Sequence, residues 1–575
     1  MVGGMSDISF EDSEFQQVNL DSALPSSKTR DFHSYFRNKY IEYVQQGDTR
    51  LAHLHDLLLT TVMLIFHPDQ KEAFGTPEQL NALRLFDNGQ LSDADAELLR
   101  GVLRNIDNVG LQARIGDVLW QFKKDYKSAK VALAAYLEYA KLNDDPEEWI
   151  EPVHALTRAL SLSKSLGKNT PETEGILKYI EQCVIREDGQ DSLLYSNRLI
   201  HLLIDSDFGD TKQLAELSEK LARSQEKSGD WYRIEAHWQL AAKCYRKQGV
   251  EDAERQAIIS SAELWVKAAD INLESPNLSR FQITYQLERA IQILRTIPNT
   301  QERVEEIRKK LLSIQEEAAK QMAPISISLE GKPEAIEFRQ KAIEAVQAED
   351  FLSAFIKFAQ LQPPLQHEYL RKQAKDYEER YVLKRLFPTK IVDAFGRTVA
   401  NPPQGPEETL LADVFQQQNL HRQSRVGLAI EPARQEILNS HTFTLQDLAP
   451  LINGNPLIHP NRGYSVLKGI VAGLQGDFLS ASYILVPQIE ATLRYVLTNL
   501  GRITSKYSSQ GVQDEVSLNR MLEEDEFAST ILDVFGQDTL YELRGLLVDR
   551  FGANFRNNLA HGLLFDGHFF DAQSI

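Results

Sequence analysis

Residues 115–141 read IGDVLWQFKKDYKSAKVALAAYLEYAK. Val118, Leu119 and Phe122 fall on one face at helical spacing, the pattern stops at Lys124 and Asp125, and Ala129, Leu133, Tyr136 and Leu137 take it up again. The spacing predicts two helices joined by a tight turn. A second stretch reads the same way: Trp231, Ile234, Trp238, Leu240, Ala241 and Tyr245 make one apolar face, Gly249 breaks it, and Ala253, Ala257, Ile258 and Leu264 begin the next.

Working outward, the chain from about 29 to 322 is helix after helix, with few Gly or Pro inside the periodic stretches. Small residues alternate with aromatics, as in stacked helical pairs that bury each other's faces. No strict repeat period is visible, so the likeness to tetratricopeptide arrays is loose. The aromatics read as core. Residues 1–28 lack periodicity and are rich in Ser, Asp and Glu, which predicts a flexible arm. Around residues 323–332 the stretch PISISLEGKP, 324–333, predicts a short strand or linker, and a helical pair is expected over 333–386 with Phe351, Phe355 and Phe358 on one side. Near 388–400, KIVDAFGRTVA predicts two short β-stretches turning at Phe395, Gly396 and Arg397, a hairpin docking two helical units. Helices resume at about 407, and the Asn453-Gly454-Asn455-Pro456 cluster closes a connector spanning 323–458. The expected fold class is therefore all-α: a solenoid-like region of helical hairpins over 29–322, a connector with a small β-hairpin, and a helical bundle over 459–575.

The chain has 575 residues, too many for one core, and 42% of them are hydrophobic, an ordinary globular value. Its formal charge is -19, which argues against coating nucleic acid electrostatically, so any RNA contact must be local. Cys183 and Cys244 are too far apart in sequence for a disulfide framework or a thiolate metal site and read as core residues. No apolar run is long enough to span a bilayer and the first thirty residues are no signal peptide, so a cytoplasmic, unanchored protein is expected. No zinc spacing, phosphate-binding Gly-rich loop or nucleophile elbow appears in the sequence.

In the last region the pattern predicts an apolar helix from about Arg462 to Gln475, a longer one from Phe478 to Leu500, a polar loop through Ser508, two shorter helices between Ser517 and Asp549, and a final helix from about Asn554 to Phe565. In the final helix Phe555, Leu559 and Leu563 form an inward stripe, so Asn557 and His561, four apart, point outward with Arg556 beside them. Histidine serves as acid or base near neutral pH. A guanidinium holds a phosphate and stabilises charge growing in a pentacoordinate transition state, and the Asn can orient either group. A ribose 2′-hydroxyl supplies an internal nucleophile, so neither cofactor, metal nor protein nucleophile is required. Gly562 would let a backbone or second subunit approach. Glu490 and Arg494, four apart on the earlier helix, read either as a surface ion pair or as a shell that orients Arg556 or His561.

Arg-Asn-x-x-x-His followed by Gly on a final helix resembles the signature of the HEPN superfamily of helical-bundle ribonucleases. LVPQIEATLRYVLTNLG, residues 485–501, resembles the earlier helix of the related DUF4209 family. The resemblance covers roughly residues 460–566. It implies a metal-independent endoribonuclease working as a homodimer in which the final helices of two subunits pool their Arg and His, with Arg556 binding phosphate, Asn557 at the polar motif position and His561 as acid/base. It further implies RNA as substrate, with a structured tRNA loop fitting the acidic charge, and roles in prokaryotic antiviral defence or toxin systems, with a protein or phage-derived trigger at the N-terminal helices. The competing expectation is a non-enzymatic helical-repeat scaffold whose terminal bundle only dimerises. A third is a bundle that binds a nucleotide or is itself modified, although no tyrosine is placed beside the motif; Tyr507 and Tyr541 lie in the same domain.

Overall fold

Asp125 sits at the N-terminus of a helix and its carboxylate accepts hydrogen bonds from the Lys127 and Ser128 amides, while Lys124 closes the preceding helix in the left-handed conformation. These two residues turn the quoted stretch into the helices Val109–Lys123 and Tyr126–Leu142. Gly116 lets the two helices close up, because a Cβ there would stand 2.6 Å from the Ser128 carbonyl oxygen. In a computed structural model of the chain, the residues described are all except 1–9, 12–13, 16–17, 19, 25–28, 76–90, 168–169, 276–277, 323–330, 382–389, 394 and 570–575.

The fold is all-α. Its strands, among the described residues, make only two-stranded antiparallel hairpins: Ile65–Phe66 with Phe74–Gly75, Ile391–Val392 with Thr398–Ala400, and Ser505–Tyr507 with Gln513–Glu515. The chain divides into two compact units, Met1–Ile314 and Gln315–Ile575. The division falls inside the helix Gln301–Lys320, slightly before the expected boundary at 322.

In the first unit the hairpin of Val109–Lys123 and Tyr126–Leu142 is followed by Ile150–Leu166 with Pro171–Glu187, Tyr195–Asp205 with Thr211–Ser224, Trp231–Gln248 with Glu251–Leu273, and Arg280–Leu294 with Gln301–Lys320. Successive hairpins bury Leu, Ile and Ala against one another in continuous cores. A period absent from the apolar pattern is present in the polar contacts. Arg158 pairs with Asp117 at 2.8 Å, Arg186 with Asp144 at 2.6 Å, Lys243 with Asp205 at 2.5 Å, Lys267 with Glu226 at 2.7 Å and Arg303 with Glu263 at 2.7 Å. The partners in these pairs lie 38 to 42 residues apart, a spacing wider than the roughly 34 residues of tetratricopeptide repeats. In each, the cation belongs to the later hairpin and the carboxylate to the earlier one or to the segment just after it. Lys247 with Asp207 and Lys310 with Asp270 keep the same order and spacing, whereas Lys220 with Asp188 and Arg289 with Glu235 keep the order at separations of 32 and 54 residues.

The arm expected over 1–28 is packed wherever it is described. Phe15, Leu20 and Leu24 are buried in a core with Phe32, Leu99 and Leu103, and the Asp21 carboxylate accepts from the amides of Asp107 and Asn108. A few well-spaced apolar residues suffice to dock a segment too short to show periodicity. Cys183 and Cys244 are both buried, as expected of core thiols.

In the second unit the expected strand or linker at 323–332 lies outside the described residues except for its final Gly331 and Lys332. Three helices, not two, follow: Pro333–Val346, Phe351–Gln360 and His367–Arg380. The predicted β-hairpin is present, turning at Gly396 with φ +74°, where a Cβ would meet the Gln315 carbonyl oxygen at 2.3 Å. Pro406–Arg425 runs through a π-helical turn, Val426–Ile430, into Glu431–Ser440. The last region contains Gly463–Gln475, Phe478–Asn499, Leu518–Glu523, Asp525–Phe535, Gln537–Leu547 and Phe555–Ala560. Where a polar loop and two short helices were expected, there are a hairpin and three. Among the described residues no helix is long and apolar enough to cross a membrane.

Candidate functional site

The final helix is one and a half turns long, not the three expected, and Gly562 is the reason. Its φ is +65°, its amide donates to the Leu559 carbonyl, and the Leu563 amide reaches back to the Asn558 carbonyl at 2.9 Å. That pair of bonds is a glycine-terminated helix end. A Cβ on Gly562 would meet nothing within 4 Å of the described chain, so within one chain the glycine serves the turn. His561 is therefore the residue that ends the helix, and Leu563 lies beyond it, half-buried.

The front of the helix is fixed more tightly. Ala553 donates its amide to the Gly545 carbonyl at 2.8 Å, and a Cβ on Gly552 would stand 2.0 Å from that same oxygen. Asn554 then takes the left-handed conformation, φ +48°, and starts the helix. Phe555 and Leu559 are buried against Val486 of the helix Phe478–Asn499, which carries Glu490 one turn further on. The inward part of the stripe is thus as expected for Phe555 and Leu559.

Packing Phe555 onto Val486 brings Arg556 to Glu490. One Arg556 amino group donates to Glu490 Oε2 at 3.3 Å and the other to Asn557 Oδ1 at 3.1 Å. The other Glu490 oxygen, Oε1, accepts from Arg494 at 3.1 Å. Arg494 is in turn held by Glu515 Oε2 at 2.8 Å and the Thr504 carbonyl at 3.3 Å, both supplied by the Ser505–Tyr507/Gln513–Glu515 hairpin or its edge. The Asn557 amide group donates to Asn554 Oδ1 at 2.7 Å. Of the sequence-predicted residues, Arg556, Asn557, Glu490 and Arg494 form one connected network. The His561 ring is exposed at the other end of the helix and makes no hydrogen bond to that network among the described residues.

The network is half-buried: the side chains of Glu490, Arg494 and Arg556 are 21%, 22% and 28% exposed. Each ion pair at that exposure is worth about 1 kcal/mol or less, so the arrangement positions groups more than it holds the fold. Sequence reasoning missed Glu515, Thr504 and Asn554. An Asn before an apolar helix start was a visible signal for Asn554, whereas Glu515 reaches Arg494 only because a hairpin forms where a loop was expected. Other histidines are engaged locally. His459 Nδ1 accepts the Asn461 amide, His421 contacts Gln373 at 3.1 Å, and His367 stacks on Tyr541 with ring centroids 3.6 Å apart.

Residues 5–175 match the family model described as a domain of unknown function, DUF7380. The match covers the packed N-terminal segment and the first helices, and stops inside Pro171–Glu187, well short of the network above. No curated protein matches the chain. A solved structure titled "Circular tandem repeat protein with novel repeat topology and enhanced subunit contact surfaces" is similar at 13% identity, over 82% of this chain and 87% of that one, with a TM-score of 0.13.

Proposed function

We propose that the C-terminal helices are a metal-independent endoribonuclease of the HEPN type, and that the N-terminal helical hairpins sense or regulate it in prokaryotic defence or toxin-type RNA cleavage. The observation that carries the reading is the placement of Arg556 between Glu490 and Asn557, with the exposed His561 at the other end of the same short helix. The guanidinium is oriented through two nitrogens and keeps further N–H groups for a phosphate oxygen. In the reaction, the RNA 2′-oxygen attacks the adjacent phosphorus and the P–O5′ bond breaks. The 2′-hydroxyl proton leaves to a base and the 5′-oxygen gains a proton from an acid, leaving a 2′,3′-cyclic phosphate. One imidazole per subunit cannot be base and acid in the same step, so two copies of the site would share the work in a homodimer.

A dimer is also favoured by the outward face of Phe478–Asn499. Tyr483 is 52% exposed and Pro487 is exposed, and they precede Glu490 and Arg494 at spacings of four, three and four on one helix face. Apolar residues on the surface beside the network suit a second copy. The alternative, a non-enzymatic scaffold with a dimerising bundle, draws on the same ion pair, because a carboxylate already satisfies Arg556.

Purified protein incubated with cellular RNA or tRNA in EDTA separates the two. The ribonuclease reading requires fragments with 2′,3′-cyclic ends from the wild type and none from His561→Ala or Arg556→Ala. A Tyr483→Lys variant that becomes monomeric by sedimentation and loses cleavage would tie activity to the dimer, while a dimer inert toward every RNA leaves the scaffold.

A further inference from the structure

A cavity of about 230 Å³ lies in the first unit, among the helices Val109–Lys123, Tyr126–Leu142 and Ile150–Leu166 and the strand residue Phe66. It is smaller than the roughly 300–1,000 Å³ of sites for drug-sized ligands. Aromatic side chains supply much of its wall: Phe66 and Tyr136 stack with centroids 5.9 Å apart at 9°, and Tyr139 stands beside them.

Arg114 lines this cavity and is 6% exposed. Its Nε donates to the Thr61 carbonyl at 3.0 Å and one amino group donates to the carbonyls of Val62 and Leu64, at the end of the helix Thr49–Met63. The other amino group has no hydrogen-bond partner among the described residues. No carboxylate pairs with Arg114 either. The neighbouring Asp117 is committed to Arg158 by two hydrogen bonds of 2.8 Å and accepts a third from Tyr136 at 3.1 Å. Glu151, on the same cavity, accepts from Tyr139 and makes no ion pair with Arg114 among the described residues. Arg114 is thus left without a carboxylate in hydrogen-bonding contact among the described residues. The rings of Phe66 and Phe74, 5.5 and 4.4 Å from the Arg114 guanidinium carbon, offset its charge in part. Burial pushes the Arg114 pKa down to about 10, so the group is still charged at neutral pH. A buried guanidinium with unfilled donors is costly unless something completes it.

We propose that this cavity binds a small aromatic monocarboxylate, its carboxylate on the free amino group of Arg114 and its ring against Tyr136 and Tyr139. The unfilled N–H groups of Arg114 call for an anionic acceptor, and Glu151 in the same wall disfavours a dianion such as a phosphate monoester. The site lies in the region matching DUF7380 and is independent of the ribonuclease reading.

The test is saturation-transfer NMR on the full chain with benzoate and indole-3-acetate, set against benzylamine and benzyl alcohol. Transfer to the ring protons of the carboxylates and not of benzylamine is the expected result, with affinity falling about tenfold or more in Arg114→Met. Because Arg114 also closes a helix, that variant could unfold, so Ala155→Leu, which fills the cavity from a buried wall position, serves as a second probe and should abolish transfer in a folded protein. Equal binding of benzylamine, undiminished carboxylate binding in Ala155→Leu, or no transfer to either carboxylate at millimolar concentration would overturn the proposal.

Discussion

Glu490 accepts from Arg494 with one oxygen and from Arg556 with the other, so its loss removes one contact from each guanidinium at once. Glu490→Gln is expected to cost about 1 kcal/mol or less of stability while lowering RNA cleavage through misplacement of Arg556, seen as a fall in kcat with an unchanged melting temperature. His561→Ala removes an exposed ring and should leave stability within about 0.5 kcal/mol of wild type. The Arg-Asn-x-x-x-His pattern and its neighbours were legible in the sequence because they sit on or beside one short helix. The length of that helix was legible too, in Gly562 after His561, whose positive φ ends it. A different residue contributes to the acid response. His237 is fully buried, its Nδ1 accepts from Asn197 at 3.1 Å, its Nε2 has no partner among the described residues, and burial, with Arg233 nearby, pushes its pKa down to about 4. The unfolded chain takes up this proton near pH 6.5 and the folded one does not until about 4. Stability is therefore full above about 6.5 and is lost as pH falls toward 4, by up to about 3 kcal/mol. Urea midpoints at pH 7.5 and 5 should diverge in the wild type and by less in His237→Gln, the remainder coming from other buried histidines such as His201, pushed down to about 4 as well; an undiminished divergence in the variant would refute this assignment.

Between elements, the contacts that hold the first unit are of two kinds. The close approach at Gly116 permits the hairpin Val109–Lys123/Tyr126–Leu142, and the Asp117–Arg158 pair, 0% and 2% exposed, ties that hairpin to Ile150–Leu166. Tyr136 adds a hydrogen bond to Asp117, and Arg158 also donates to the Gln70 carbonyl. Asp117→Asn leaves a buried guanidinium without its counter-charge and should cost about 3–5 kcal/mol, measured by urea unfolding. Helices of this unit were legible because their apolar faces are long and their ends carry Asp, Gly or a left-handed residue. The packed segment around Phe15 and Leu20 was not, since its anchors act through partners far along the chain such as Leu99 and Leu103. For the same reason the Ser505–Tyr507/Gln513–Glu515 hairpin passed for a loop: its strands are polar and mostly exposed and carry no alternating apolar signal.

Over the whole molecule, the two units hold separate cores, one spread along the stacked hairpins and the other in several smaller clusters. Calorimetry is expected to resolve two transitions, and Gly116→Ala, by forcing its helices apart at a cost of about 1–3 kcal/mol, should lower one and leave the other in place; a single transition that moves as a whole would contradict this. The repeat period escaped the sequence because it is written in charge and not in hydrophobicity, through partners about 40 residues apart that no local window contains. The order of those charges has a bearing on how the array can change length. Each of the junctions described joins an acid of the earlier hairpin to a base of the later one. Removing or duplicating one complete hairpin together with the segment that follows it would therefore keep the acid-first, base-second order at the new seam.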